Sequence, residues 1–299
     1  MRLVDMVGNT PFLYLSFLLE RKGIELFAKA EFLNPSGSVK DRAALAMIED
    51  GIESGLLSKG KTILDATSGN TGIAYAMIGA ALGYKVRLYA PENLSPERMR
   101  ILRCYGAELI ATSPMEGSDG AYLKAREAAL ASPDLFFYPD QYNNPANPRA
   151  HYLGTGNEIW DQSGGKVTHF IASMGSAGTF VGCARRLKEK NPRIKCVAVQ
   201  PKSPFHGIEG TKHMASSIKP GNLDESLIDQ QVDVTTEEAY EMARRLARTA
   251  GIFVGISSGA NVAAALRLAE GLPEGSFVAT VLCDTGARYS SDVFWEAKK

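Results

Sequence analysis

Lys40 sits near the end of the run Asn34-Pro35-Ser36-Gly37-Ser38-Val39-Lys40-Asp41-Arg42. The run follows an apolar, strand-like segment from Leu26 to Leu33 and precedes an alanine-rich helical stretch, Ala43 to Ile52. An Asn-Pro pair and a glycine flanked by serines make the join a turn. Small hydroxyl residues suit the free N–H groups of a helix start. A cation placed there meets the positive end of the helix dipole. That favours a neutral, nucleophilic amine, fit to form a Schiff base or to move a proton. On this stretch alone, a solvated lysine in a surface turn explains the residues equally well.

Thr67-Ser68-Gly69-Asn70-Thr71-Gly72 follows a short strand, Thr62 to Leu64, and precedes an apolar helix, Ile73 to Leu82. An ordinary N-cap needs one hydroxyl or amide side chain, and this loop holds four. Such a junction offers backbone N–H groups and side-chain donors to a small anion. Gly175-Ser176-Ala177-Gly178-Thr179 is a further strand-to-helix turn, opening a helix after Thr168 to Ser173. Its glycines let backbone approach closely and the helix dipole welcomes a dianion, which is a phosphate cradle or a plain small-residue turn. Gly255-Ile256-Ser257-Ser258-Gly259, before a helix from Ala260, has the commoner use of a capped helix start. Gln141 reads as a loop amide, and Cys283, at a strand end, as a core cysteine.

The elements that must hold these loops alternate. Strands are expected at Lys85 to Ala90, Glu108 to Thr112, Leu135 to Tyr138, Thr168 to Ser173, Lys195 to Val199, Gln231 to Val234 and Phe277 to Cys283. Helices are expected at Ser95 to Tyr105, Asp119 to Ala131, about Pro148 to Gln162, after Ala177, and at Thr236 to Ala250 and Ala260 to Glu270. The rhythm predicts an α/β protein with parallel sheets covered by helices. The Asn/Pro-rich run from Asn143 to Asn147 is the best boundary.

Bulk properties narrow the function. A chain of 299 residues, 45% hydrophobic, can bury a sizeable core as one large or two modest domains. Formal charge is zero, so neither nucleic acid nor an acidic membrane surface is the expected partner. No apolar run is long enough to span a bilayer, and the first residues show no signal-peptide core. Cys104, Cys183, Cys196 and Cys283 lack paired spacing and read as reduced thiols in a cytoplasmic protein. The four histidines are scattered, and no metal site is expected. A dinucleotide fingerprint is missing from the sequence, which disfavours NAD.

The lysine and asparagine stretches resemble the corresponding loops of pyridoxal-phosphate enzymes of the tryptophan-synthase-β type (fold type II), specifically the cysteine synthases, or O-acetylserine sulfhydrylases. The likeness runs from Gly8-Asn9-Thr10-Pro11 to Arg288-Tyr289-Ser290. It is similar in finer detail to the B-type members at Gln141 to Asn147, His169 to Gly175 and Cys283 to Gly286. The resemblance implies two parallel-sheet, three-layer domains with the cofactor, pyridoxal 5'-phosphate, between them. Residues 1–38 plus 147–299 would form the larger, and 39–146 a smaller, mobile one that binds substrate. It implies that Lys40 carries the cofactor and acts as general base. Asn70 would contact the cofactor oxygen, Gly175, Ser176, Ala177, Gly178 and Thr179 the phosphate, and Ser257 the pyridine nitrogen. A hydroxyl at that nitrogen does not enforce a pyridinium, which suits β-elimination more than transamination. Thr67, Ser68, Thr71 and Gln141 would clamp the amino-acid carboxylate, and Cys283 would lie near the reactive centre.

The implied activity is β-replacement on a serine ester, O-acetylserine plus sulfide giving cysteine plus acetate, by a homodimer. Alternatives on the same scaffold are a cystathionine β-synthase-like reaction, an O-phosphoserine-dependent sulfhydrylase, a dehydratase or racemase, and a silent partner of serine acetyltransferase. The intact lysine, asparagine and phosphate loops argue against the last. Two departures stand out. Ala177 occupies a place where many members have glycine. Phe205 to Met214 carries Glu209 and Gly210 where the B-type enzyme is arginine-rich. Glu209 is therefore expected to disfavour large anionic nucleophiles such as thiosulfate.

Overall fold

The computed structural model describes residues 1–67, 69–92, 94–115 and 117–296, with backbone alone at 117–119. The strands, in chain order, are β1 (Phe12–Tyr14), β2 (Glu25–Ala30), β3 (Thr62–Ala66), β4 (Lys85–Pro91), β5 (Glu108–Thr112), β6 (Phe136–Phe137), β7 (His169–Ser173), β8 (Lys195–Pro201), β9 (Gln230–Val234) and β10 (Phe277–Leu282). The α-helices are α1 (Lys40–Glu53), α2 (Asn70–Leu82), α3 (Pro96–Cys104), α4 (Gly117–Ala131), α5 (Ala146–Leu153), α6 (Thr155–Gln162), α7 (Gly178–Lys190), α8 (Thr236–Ala250) and α9 (Ile256–Glu270). They form two compact units, Met1–Val7 with Lys40–Asn147 and Gly8–Val39 with Pro148–Lys299.

The smaller unit is built on a parallel sheet in the order β5-β4-β3-β6. α2 is apolar around its whole circumference and buried from Thr71 to Gly79, as such a helix must be. Its Ile73, Tyr75 and Met77 pack with Met47 and Ile48 of α1 and Ile63 of β3. Val4 joins the same cluster, which explains why the first seven residues group with this unit.

An acidic side chain of β3 is sealed in this core. Asp65, on β3, is 2% exposed and accepts the Ala66 N–H at 2.7 Å. Burial pushes its carboxyl up to about 7, against the pull of the Ala66 and Tyr75 hydrogen bonds, and Asp140 adds to the rise. A raised folded-state value means that the native chain holds the proton longer than the unfolded chain. Stability is therefore greatest at low pH, falls as pH rises from about 4 to about 7, and stays reduced above that. Asp65→Asn keeps the acceptor and removes the charge. It should raise the thermal midpoint by several degrees at pH 8, a gain of up to about 4 kcal/mol. The gain should shrink steadily towards pH 4 in a melting series. A gain independent of pH would mean that Asp65 stays ionised in the fold.

The larger unit holds a sheet in the order β1-β2-β10-β7-β8-β9, parallel except for the antiparallel β1–β2 pair. β10, Phe-Val-Ala-Thr-Val-Leu, is buried at every position, the continuous apolar run expected of a central parallel strand. α8 opens on a reciprocal capping box between Thr235 and Glu238. It packs against α9, where a Cβ on Gly259 would overlap the Ala239 carbonyl.

Several boundaries differ from those expected. The strand expected to reach Leu33 stops at Ala30, and Glu31–Leu33 turns as a 3-10 helix, with Asn34 Nδ2 donating to the Glu31 carbonyl at 2.9 Å. The single helix expected from Pro148 to Gln162 is two, α5 and α6, separated at Gly154. α9 begins at Ile256 rather than Ala260, so Ser257 and Ser258 lie inside its first turn. Gly259 there serves close helix packing and does not break the helix. No helix among the described residues is long and apolar enough to cross a membrane.

Candidate active site

The predicted residues divide between the units. In the smaller unit, Lys40 is the first residue of α1 and half-buried, followed by the buried Asp41 and Arg42. Asn70 is the first residue of α2, whose N-cap is Gly69 with no side-chain cap. Within the loop, Gly69 N–H donates to Thr67 Oγ1 at 3.4 Å. Thr71 Oγ1 donates to Gln141 Oε1 at 2.9 Å, joining positions 70 residues apart. Both are buried, and Asn147 Nδ2 holds the Gln141 carbonyl at 2.7 Å. Thr67 is half-buried at the exit of β3. Ser68, predicted to share the carboxylate clamp, lies outside the described residues.

In the larger unit, Gly175 to Thr179 joins β7 to α7. The α7 start also lacks a side-chain cap, in contrast to α8. Its N-cap, Ala177, has φ +65°, in the left-handed region. An L-residue there is strained by about 1–2 kcal/mol, so the glycine typical of this place has a backbone reason. A Cβ at Gly175 would overlap the Gly210 carbonyl oxygen. The segment around Glu209 thus lies directly on the turn at Gly175, and Lys212 N–H fixes it to the Met174 carbonyl at 2.8 Å. Glu209 itself is exposed.

Ser257 is buried in the first turn of α9, again without a side-chain cap at its N-cap, Gly255. One turn on, Asn261 Oδ1 accepts the Ser173 N–H at 2.7 Å, while its Nδ2 donates to the Val281 carbonyl at 2.8 Å and reaches Cys283 Sγ at 3.4 Å. Asn261 therefore gathers the end of β7, the end of β10 and the Ser257 turn. Cys283 is half-buried beside it.

Two supports were not singled out from the sequence. His151 is 1% exposed, with Nδ1 2.9 Å from Thr155 Oγ1 and Nε2 3.2 Å from Thr179 Oγ1. It ties Thr179, in the first turn of α7, to Thr155 of α6. Asn261 is the other. Neither carried a local signal, because each acts through contacts that only the fold creates.

Comparison with known proteins agrees over almost the whole chain. A family model described as "Pyridoxal-phosphate dependent enzyme" matches residues 3–284. A cysteine synthase of Aquifex aeolicus is 49% identical over 302 residues, covering 99% of this chain and 92% of that protein. The cysteine synthase B of Escherichia coli is 43% identical over 295 residues, covering 98% of this chain and 96% of its own length. The crystal structure of a cysteine synthase from Entamoeba histolytica superposes with a TM-score of 0.94 at 34% identity, covering 99% of this chain and 91% of that one.

Proposed function

This chain belongs to the pyridoxal-phosphate-dependent enzymes, in the cysteine synthase branch, and from that premise we propose how its residues make cysteine. The fold is the two-domain α/β fold of the tryptophan-synthase-β type. The reaction is β-replacement, in which O-acetylserine and sulfide give cysteine and acetate.

The residues suit a phosphorylated cofactor. The observation that carries the reading is the α7 start, a strand-to-helix turn of small residues whose N-cap, Ala177, makes no side-chain cap hydrogen bond. A dianion there would meet the helix-start N–H groups and the positive end of the dipole together. Pyridoxal 5'-phosphate, when bound, supplies the electron withdrawal that acidifies the substrate Cα–H. Gly175 to Thr179 would hold its phosphate, with His151 orienting Thr179. Ser257 would offer its ring nitrogen a hydroxyl, which suits moderate withdrawal. Asn70 would bond to its ring oxygen. Lys40 would anchor it and serve as the base that takes and returns the Cα proton. Thr67, Ser68, Thr71 and Gln141 would bind the amino-acid carboxylate. Cys283 borders the reacting carbon. We carry the homodimer and the cytoplasmic location as parts of the same proposal.

A panel assay tests it. With O-acetylserine, O-phosphoserine and serine as donors, only the first should turn over well. Among sulfide, thiosulfate and homocysteine as nucleophiles, sulfide should win. Thiosulfate brings two charges that must be desolvated and paired, and Glu209 lies on the loop above Gly175. Because Glu209 is exposed, solvent screens it, and Glu209→Arg should narrow the sulfide-to-thiosulfate ratio of kcat/KM by only about fivefold at low salt. Equal use of both nucleophiles by the unmodified enzyme would remove Glu209 from control of entry. Preference for homocysteine would replace the proposed reaction with cystathionine formation.

A further inference from the structure

The segment from Cys283 to Tyr289 leaves β10 and binds two loops at once. On one side it meets the loop that runs into Lys40. Val39 N–H donates to the Cys283 carbonyl at 2.8 Å and Thr285 N–H to the Gly37 carbonyl at 3.1 Å. Ser38 and Asp284 form an antiparallel bridge, and Arg288 Nη2 donates to the Ser36 carbonyl. On the other side it meets the entrance to α9. Gly255 N–H donates to the Asp284 carbonyl at 3.0 Å and Gly286 N–H to the Phe253 carbonyl at 3.0 Å. Cys283 N–H donates to Ser258 Oγ at 2.8 Å, and Val254 bridges Thr285.

The side chains of this segment are unusual for a stabilising element. Asp284 is fully buried, Arg288 is 4% exposed and Tyr289 is 3% exposed. Tyr289 Oη donates to Asp284 Oδ2 at 2.7 Å. Burying a carboxylate and a guanidinium is expensive, and an apolar filling would usually stabilise a fold as well or better. What buried, directional bonds add is a fixed geometry.

We propose that Asp284, Arg288 and Tyr289 are positioning residues that set the spacing between the loop Ser36–Val39, whose next residue is Lys40, and the α9 entrance that carries Ser257. The inference rests on the cofactor roles assigned above to Lys40 and Ser257. One short segment gauges both, so a shift in it moves the chain leading into Lys40 and the turn that carries Ser257 in the same step. A displacement of about 1 Å in such a constellation lowers turnover by roughly a hundredfold.

Two mild variants test it, Tyr289→Phe and Arg288→Lys, each keeping side-chain bulk. Hydrogen exchange of the holoenzyme should show roughly tenfold faster exchange in both peptides, 36–39 and 253–258, with the β7–β8 strands unchanged. Turnover with O-acetylserine and sulfide should fall about 10- to 100-fold in kcat, with KM within about threefold. Unchanged exchange in either peptide, or an even rise across the whole unit, would overturn the gauge and leave a general stabilising role. Borohydride trapping in the unmodified enzyme separates the two ideas. Label on a lysine other than Lys40 sinks the assigned roles, whatever the exchange shows.

Discussion

Lys40→Ala loses at least about 10⁴-fold in kcat/KM with every donor while keeping its fold. The size follows from the three tasks proposed for one amine: anchoring the cofactor, taking the Cα proton and giving it back. The surrounding helix should survive, because Ala is the best helix former and Lys40 is the half-buried first residue of α1. Circular dichroism and melting should match the parent within a few degrees, and borohydride reduction followed by peptide mapping should find label on Lys40 in the parent and no covalent label in the variant. Activity within a hundredfold of the parent would assign the proton transfer to another group.

Gly178→Asp separates phosphate binding from folding. Gly178 is the first residue of α7. A carboxylate there favours the helix itself, since it faces the positive end of the dipole. It repels a dianion at the same place. Two charges about 4 Å apart interact by about 4 kcal/mol at the effective dielectric of a partly wet site, roughly a thousandfold in affinity. The variant should leave gel filtration folded and colourless, and should need far more added cofactor to regain activity. Full cofactor retention would reduce the turn from Gly175 to Thr179 to a structural role.

The loops were legible because their chemistry is local. α8 was read from Thr236 to Ala250 since its capping box and amphipathic spacing lie within one stretch of sequence. The turns before α2 and α7 stood out through hydroxyls and glycines that one helix start does not need. Other features depend on partners far along the chain. β1 is three residues after Pro11 and exists only by pairing with β2, so no run of alternating residues reveals it. The Thr71–Gln141 bond joins two stretches that the sequence could only associate by resemblance. Ala177 looks harmless in a sequence, where an alanine at a helix start is ordinary, and its strain appears only with the left-handed φ. The short strand that ends at Ala30 rather than Leu33 yields to a side-chain bond from Asn34, a competition that apolar periodicity does not report.

The position of β10 between β2 and β7 has a consequence for biosynthesis. The sheet of the smaller unit is complete once Phe137 has been made. The larger sheet is not, because β2 waits for a neighbour about 250 residues downstream, about 12 to 50 s at ordinary rates of translation. During that interval the β1–β2 hairpin carries one unpaired edge, the kind of surface that pairs with the wrong chain. β10 is therefore the keystone of the larger sheet, and nascent chains stalled before Phe277 should be the ones that chaperones hold.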